Sequence, residues 1–391
     1  MTARRVALVT GTRAEYGLLR PLIEALGADP AFAPALVVTG AHLEPRFGET
    51  VRAIEADGTP IAARVPMGLD DDSPLGLAQA MARGLAGVAQ AFDRLRPDLV
   101  VLLGDRYEML CPAQAALLAR IPLAHLHGGE ASEGAMDEAL RHALTKMAHL
   151  QFVAAEPYRR RVVQMGEDPA RVFTVGALAL DSLAALPPLP RDALEARLGL
   201  GPGQPFFLVT YHPATLDAAD PAQAVEALAA GLAAWPGHAV VVTGVNADPG
   251  HDRVAAAVAR WRAAEPGRVR VESSLGLPLY AAATRAAAAV VGNSSSGILE
   301  APFLGTPTVN LGSRQQGRLR AASVLDCAET VPAIRDTVAR ALDPAWRAQA
   351  LAAPYPFGAP GAAARIVSVL KTVALDGLLV KRFHDVAGGE G

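Results

Sequence analysis

Two α/β domains with open parallel sheets facing each other across a cleft are what this sequence predicts, on three observations. Its 391 residues, 51% of them hydrophobic, exceed what a single core usually supports. Short Val- and Leu-rich runs alternate with amphipathic or Ala-rich segments, the pattern of βαβ units. Near the middle, Leu186 to Pro190 carries three prolines in five residues and can continue neither a helix nor a central strand.

Taken in order, the strand candidates of the first series are Val6–Thr10, Ala35–Thr39, Leu99–Leu103, Leu123–His127 and Phe152–Ala154. They place a first domain over residues 1–185, and the proline run becomes the linker. A second series begins with Phe206–His212 and continues through Ala239–Thr243, Val269–Glu272, Ala287–Val291 and Thr308–Leu311, which places a second domain over 192–365. The segment Ala362–Val380 reads as a helix, and 381–391 as a frayed tail.

The charge balance is even, 36 basic against 39 acidic side chains, so no basic excess draws in nucleic acid. Cys111 and Cys327 are far apart and lack metal or redox spacing, which makes them buried free thiols. The apolar run after Met1 is too short for a secretion signal, and the Ala-rich stretches are interrupted before they could span a bilayer. A cytoplasmic protein without a membrane partner is expected. Neither a GxxxxGK nucleotide loop nor a GxGxxG turn after the first strand is present, which weakens ATPase and NAD dehydrogenase readings. His125 and His127, two apart on a strand, share a face but have no third ligand at a recognisable spacing, so no metal and no cofactor is expected.

In an open parallel sheet ligands bind beyond the carboxyl ends of the strands. Polar residues stand there repeatedly: Gly11-Thr12-Arg13 and on to Gly17, Gly40-Ala-His42, Gly104-Asp105, and His127-Gly-Gly-Glu130. Each alone is an ordinary turn or cap, and their joint placement points to one cleft. Arg13 suits a phosphate or a carboxylate. Asp137 and Glu138 are read as one or two turns into the next helix, with Arg141 and His142 following. Asp137 and Arg141, spaced i,i+4, form a structural ion pair, or Asp137 joins Glu130 as the second carboxylate of a proton-transfer pair. In the second half, Gly292-Asn293-Ser294-Ser295-Ser296-Gly297 ends a strand before an apolar helix, which suits phosphate or is a plain N-cap. Glu300, placed in that helix's first turn, can accept two adjacent ribose hydroxyls. Arg314, Gly317 and Arg318 lie on the loop after the next strand, and His212 is a further strand-terminal polar group.

These motifs, Gly11-Thr-Arg-Ala-Glu-Tyr-Gly, His127-Gly-Gly-Glu, Asp137-Glu with Arg141-His142, and Gly292-Asn-Ser-Ser-Ser-Gly-Ile, resemble in content and order the hydrolysing UDP-N-acetylglucosamine 2-epimerases. The resemblance runs from the first strand to about Val324 and is strongest with the sialic- and legionaminic-acid branch. It implies a glycosyltransferase-B-type fold of two Rossmann-like domains, with residues 366–391 packing back on the N-terminal domain and the nucleotide held mainly by the C-terminal one. It further implies that the C2 proton is removed, UDP leaves C1, a glycal forms, and water and a proton then add. On the same ground Asp105, Glu130 and Asp137 become acid/base groups, with the choice of base left open. Arg13 and His212 hold the diphosphate, and Ser295, Ser296 and Glu300 hold phosphate and ribose. Gly11, Thr12, His42, Glu138, Arg141, His142, Asn293, Ser294, Gly297, Arg314, Gly317 and Arg318 complete the binding set. A homodimer or homotetramer is expected from the family. Ala14 and the His-Gly-Gly-Glu run differ from the Pro and His-Val-Glu-Ala-Gly of non-hydrolysing relatives and favour the hydrolysing branch. A non-hydrolysing epimerase, a retaining glycosyltransferase and a non-catalytic sugar-nucleotide binder are the competing readings.

Overall fold

A computed structural model of the chain describes residues 3–71, 73–133, 136–213, 220–244 and 251–386. The first compact unit comprises Met1–Ala131, Met136–Ala184 and Phe357–Gly391, and the second Ser132–Ala135 and Ala185–Pro356.

The first unit is built on β1 (Arg4–Thr10), β2 (Phe32–Thr39), β3 (Ile61–Val65), β4 (Leu99–Leu103), β5 (Leu123–Leu126), β6 (Leu150–Val153) and β7 (Val172–Thr174). They form a parallel sheet in the order β3-β2-β1-β4-β5-β6-β7. Helices cover both faces, so the central strands are continuous aliphatic runs: β4 is buried at every residue. On one face Leu19, Leu22 and Leu26 of the Arg13–Ala28 helix pack with Ile366 and Leu370 of the Ala362–Thr372 helix. On the other, Val88 and Phe92 of the Pro74–Leu95 helix pack with Met109 and Ala113 of the Tyr107–Leu118 helix. The Ala362–Thr372 helix is capped from elsewhere in its unit. The Asp181 carboxylate accepts from the amides of Gly361, Ala362 and Ala363 at 2.6, 3.1 and 2.7 Å, placing negative charge at the positive end of the helix.

The second unit holds β8 (Phe206–Thr210), β9 (Ala239–Thr243), β10 (Val269–Glu272), β11 (Ala289–Gly292), β12 (Thr308–Leu311) and β13 (Val324–Cys327). This sheet is also parallel, in the order β10-β9-β8-β11-β12-β13. Leu228, Trp261 and Ile334 cover one face, and Leu194, Leu198 and Ala283 the other.

Three strands stand outside the expected set, β3, β7 and β13, and all three are sheet edges. An edge strand buries less of its surface. Ile61–Val65 alternates in exposure and Val172–Thr174 is three residues long, so neither shows the continuous apolar run that marks a central strand. The expected helix to Val380 ends instead at Thr372. Val373 turns extended, and beyond it Arg171 Nη1 donates to the carbonyls of Leu378 and Val380 at 3.0 and 3.2 Å. Cys111 and Cys327 are buried and free. Among the described residues no helix is long and apolar enough to cross a membrane.

Candidate active site

In each sheet the strand order reverses once, at β1/β4 in the first unit and β8/β11 in the second. A crevice opens at such a switch point beyond the carboxyl ends of the strands. The sequence candidates of each unit gather at that edge.

After β1, Thr12 caps the Arg13–Ala28 helix, its hydroxyl accepting from the Glu15 amide at 3.3 Å. Glu15 closes the turn, one carboxylate oxygen accepting from the amides of Gly11 and Thr12 at 2.7 and 3.1 Å. Thr12-Arg-Ala-Glu15 is a capping box, a signal present in the sequence that the reading for ligand contacts passed over. Gly11 and Thr12 therefore spend their amides on Glu15, while Arg13, the first helical residue, is exposed. Burial, reinforced by the nearby charge of Glu108, raises the Glu15 carboxyl to about 7. Glu108 is fully buried and paired with Arg106 at 2.9 Å.

Gly40, after β2, has a left-handed φ of 57°, and a Cβ there would lie 2.9 Å from the Gly11 carbonyl oxygen, so only glycine fits. Two residues on, His42 is fully buried between Thr10 Oγ1 at 3.0 Å and Thr50 Oγ1 at 2.8 Å, and burial lowers it to about 4. Both ring nitrogens thus tie β1 to the segment after β2 as a neutral imidazole.

Asp105 follows β4 and pairs with Arg141, which is buried and also reaches Glu138 at 3.3 Å; Glu138 in turn meets His142 at 3.1 Å. Asp137 opens its helix, which spans Asp137–Met147, and so lies in the first turn rather than one or two turns in. Arg141 thus joins the loop after β4 to its own helix through Asp105 and Glu138, where an ion pair with Asp137 was one of two readings. His125 holds that loop from below. Its Nε2 meets the Gly104 carbonyl at 2.7 Å and its Nδ1 meets Thr145 at 3.2 Å, while burial lowers it to about 4.

β5 ends at Leu126, one residue short of expectation, because His127 adopts a left-handed φ of 64°. The alternation that would put His125 and His127 on one face stops there. His127 Nδ1 meets Glu130 Oε1 at 2.6 Å, while its Nε2 is buried with no hydrogen-bond partner. His127 stands outside the expected catalytic set; its position beside a strand end and three residues before Glu130 is the available signal.

In the second unit an amide and hydroxyls stand at the switch point, with Arg314 reaching in from the next loop. Gly292, with φ 140°, ends β11 against the Thr210 carbonyl, where any Cβ would collide with backbone. Asn293 is fully buried, accepting from the His212 amide at 2.7 Å and donating to the His212 carbonyl at 2.8 Å, so it locks the end of β8 to the end of β11. His212 is buried as well. Ser294 caps the Ser295–Phe303 helix, its hydroxyl accepting from Ser296. Ser296 Oγ lies 2.6 Å from the Tyr280 hydroxyl, and Ser295 is exposed. Because Ser295 is the first helical residue, Glu300 sits in the second turn, not the first. Burial raises its carboxyl to about 7.

Arg314 and Gln315 donate to the Asn293 carbonyl at 3.2 and 2.8 Å. Gly317 is left-handed, and Arg318 follows it. Arg320, outside the sequence-derived set, holds this loop: it donates to the carbonyls of Gln315 and Arg318 at 2.9 and 2.7 Å and pairs with Asp326 at 2.9 Å.

Two parallel sheets, each with one switch point, define the class: an α/β protein of the glycosyltransferase-B-like fold. A crystal structure of a Neisseria meningitidis UDP-GlcNAc 2-epimerase bound to UDP-GlcNAc has the same fold, with a TM-score of 0.78 at 15% identity over 94% of this chain and 99% of that one. The chain belongs to the UDP-N-acetylglucosamine 2-epimerase family, whose model matches residues 24–371. It is 37% identical over 326 residues to a Campylobacter jejuni protein named GDP/UDP-N,N'-diacetylbacillosamine 2-epimerase (hydrolyzing), covering 83% of this chain and 85% of that one. A UDP-N,N'-diacetylbacillosamine 2-epimerase (hydrolyzing) of Legionella pneumophila is 35% identical over 87% of this chain and 89% of its own.

Proposed function

We propose that this protein is a hydrolysing sugar-nucleotide 2-epimerase. It converts a UDP-linked 2-acetamido sugar and water to the free manno-configured sugar and UDP, for nonulosonic acid synthesis. Among sugars, the names of the relatives favour a 2,4-diacetamido-2,4,6-trideoxy hexose over N-acetylglucosamine. The observation that carries the reading is the row of carboxylates at the strand ends of the first unit, in a chain whose relatives at 35–37% identity bear hydrolysing names.

In this reading one of Asp105, Glu130 and Asp137 removes the C2 proton as the C1–O bond breaks. The electron pair forms the C1–C2 double bond and UDP departs with the bridging oxygen. Water then adds at C1, and a proton returns to C2 from the opposite face. A C2 hydrogen is weakly acidic, so a placed base and stabilised leaving-group charge must both lower the barrier. Arg13 and His212 meet the leaving diphosphate. The Ser295–Phe303 helix supplies amides and hydroxyls to phosphate, and Glu300 accepts from the ribose hydroxyls. Glu138, Arg141 and His142 hold the acid/base groups, while Arg314, Gly317 and Arg318 close on the nucleotide. A homo-oligomer belongs to the same proposal, with light scattering as its check.

The test is a proton NMR time course in deuterium oxide with UDP-GlcNAc and, separately, its 4-acetamido-4,6-dideoxy counterpart. Free C2-deuterated manno sugar plus UDP is the expected outcome. A deuterated product that keeps UDP would select the non-hydrolysing reaction, and no exchange with either sugar or with their GDP-linked counterparts would overturn the epimerase reading.

A further inference from the structure

β5 delivers its chain end into an unusual residue. His127 takes a left-handed backbone that side chains with a Cβ seldom adopt, and that glycine or asparagine would take at lower cost. Its position is fixed all the same, by its amide donating to the Phe152 carbonyl at 2.9 Å and by Arg161 Nη1 donating to the Gly129 carbonyl at 2.5 Å. The ring is 14% exposed, and its Nε2 is buried with no partner. Strained torsion and an orphaned polar atom are both unfavourable, and a residue that keeps both is held for something else. What the ring does make is one short bond, Nδ1 to Glu130 Oε1 at 2.6 Å.

We infer that His127 is a positioning residue for Glu130, a role that rests on the reading of Glu130 as an acid/base group. An ionised carboxylate only accepts hydrogen bonds, so Nδ1 carries a proton and donates it to Oε1. The bond commits Oε1 to the imidazole and fixes the plane in which Glu130 presents its other oxygen. The left-handed turn is what brings a side chain at i onto one at i+3 across Gly128-Gly129. The titratable groups around the pair are His125 on β5 and His142, with Glu138, on the Asp137–Met147 helix. His125 is engaged with Gly104 and Thr145, and His142 with Glu138.

The experiment uses the full chain and whichever of the two UDP-sugars the wild-type protein turns over. His127→Gly relieves the torsion and deletes the ring, and His127→Asn tolerates the torsion while keeping an N–H for the carboxylate. His127→Gly is expected to melt no lower than wild type and to lose about a hundredfold in kcat with KM within about threefold, the size of a misplaced acid/base group. Its kcat–pH profile should shift, His127→Asn should recover about tenfold, and the double variant with Glu130→Gln should be no slower than Glu130→Gln alone. A kcat for His127→Gly within about threefold of wild type would overturn the proposal. So would a double variant slower than Glu130→Gln, or an unmoved pH profile without rescue by asparagine. Wild-type protein without C2 exchange would instead sink the epimerase reading, and this role with it.

Discussion

At the first switch point the helix N-terminus is closed by its own chain, since Glu15 reaches back to the amides of Gly11 and Thr12. At the second, the Ser295–Phe303 helix is capped by a neutral serine hydroxyl, with Ser295 exposed beside it. Backbone amides at a helix start attract one anion. In the first unit a carboxylate of the protein already occupies that role, and the surrounding strand ends carry further charged groups: Asp105 with Arg141, Glu130 with His127, Glu108 with Arg106. In the second unit the role is open to a ligand, and the groups nearby are hydroxyls, an amide and the Arg314 loop. In the proposed reading the same strand-turn-helix start serves proton chemistry in one unit and phosphate binding in the other.

The sharpest way to break that comparison is to remove the chemistry and leave the binding. Glu130→Gln keeps the shape that meets His127 and should lower kcat by about a thousandfold, the scale of a lost acid/base group. UDP affinity should stay within about threefold by calorimetric titration. Turnover that survives would take Glu130 out of the reaction.

How far this was legible in the sequence follows from where the information is stored. Central strands such as Leu99–Leu103 and Phe206–Thr210 announce themselves because burial on both faces demands unbroken apolar runs. β3, β7 and β13 did not, because half-exposed edges lack that demand. Glu130, Asp105 and Asn293 were singled out by the simple rule that polar residues after strands face the crevice, and the structure places each just beyond a strand end. Their partners were not. An ion pair of Arg141 with Asp137 was one of two readings; Arg141 pairs with Glu138 on its own helix and across to Asp105 in the β4 loop. Nor does residue type reveal the torsion of His127 or the grip of Arg320 on the Arg314–Arg318 loop, which depend on chain packing beyond the local pattern.

The next largest effect should come from Asn293→Ala. It removes a buried side chain with bonds to both the amide and the carbonyl of His212, and leaves those groups unsatisfied in the core. A loss of about 2–4 kcal/mol is expected by denaturant unfolding. A neutral result would show that the second switch point is held together by its strands alone.

Two effects of titration are smaller. If Glu300 accepts from the ribose it must be ionised, and its carboxyl is raised to about 7 by burial. UDP affinity should then strengthen by a few-fold to about tenfold from pH 6 to pH 8, with Glu300→Gln flattening the change. For Glu15 the folded value of about 7 lies above the usual 4.5, so the folded state binds its proton more tightly. Its contribution to stability is full below the unfolded value and is lost as pH rises towards 7. Wild type should therefore fall relative to Glu15→Gln by a few degrees of Tm between pH 5 and pH 7.5. His42 and His125, held neutral with values near 4, act in the opposite direction, their stability being lost as pH falls from about 6.5 towards 4. Comparing the variant with wild type at each pH isolates Glu15 from them.

The most direct test gives the second helix the feature that closes the first. Ser295→Asp places a carboxylate at the start of the Ser295–Phe303 helix, and UDP is titrated against it beside wild type and Glu130→Gln. The expected result is a melting temperature at or above wild type, from the favourable charge at the helix start, with UDP affinity weakened by tenfold or more, about 1.4 kcal/mol. UDP binding unchanged in Ser295→Asp but lost in Glu130→Gln would contradict the division of roles between the two switch points.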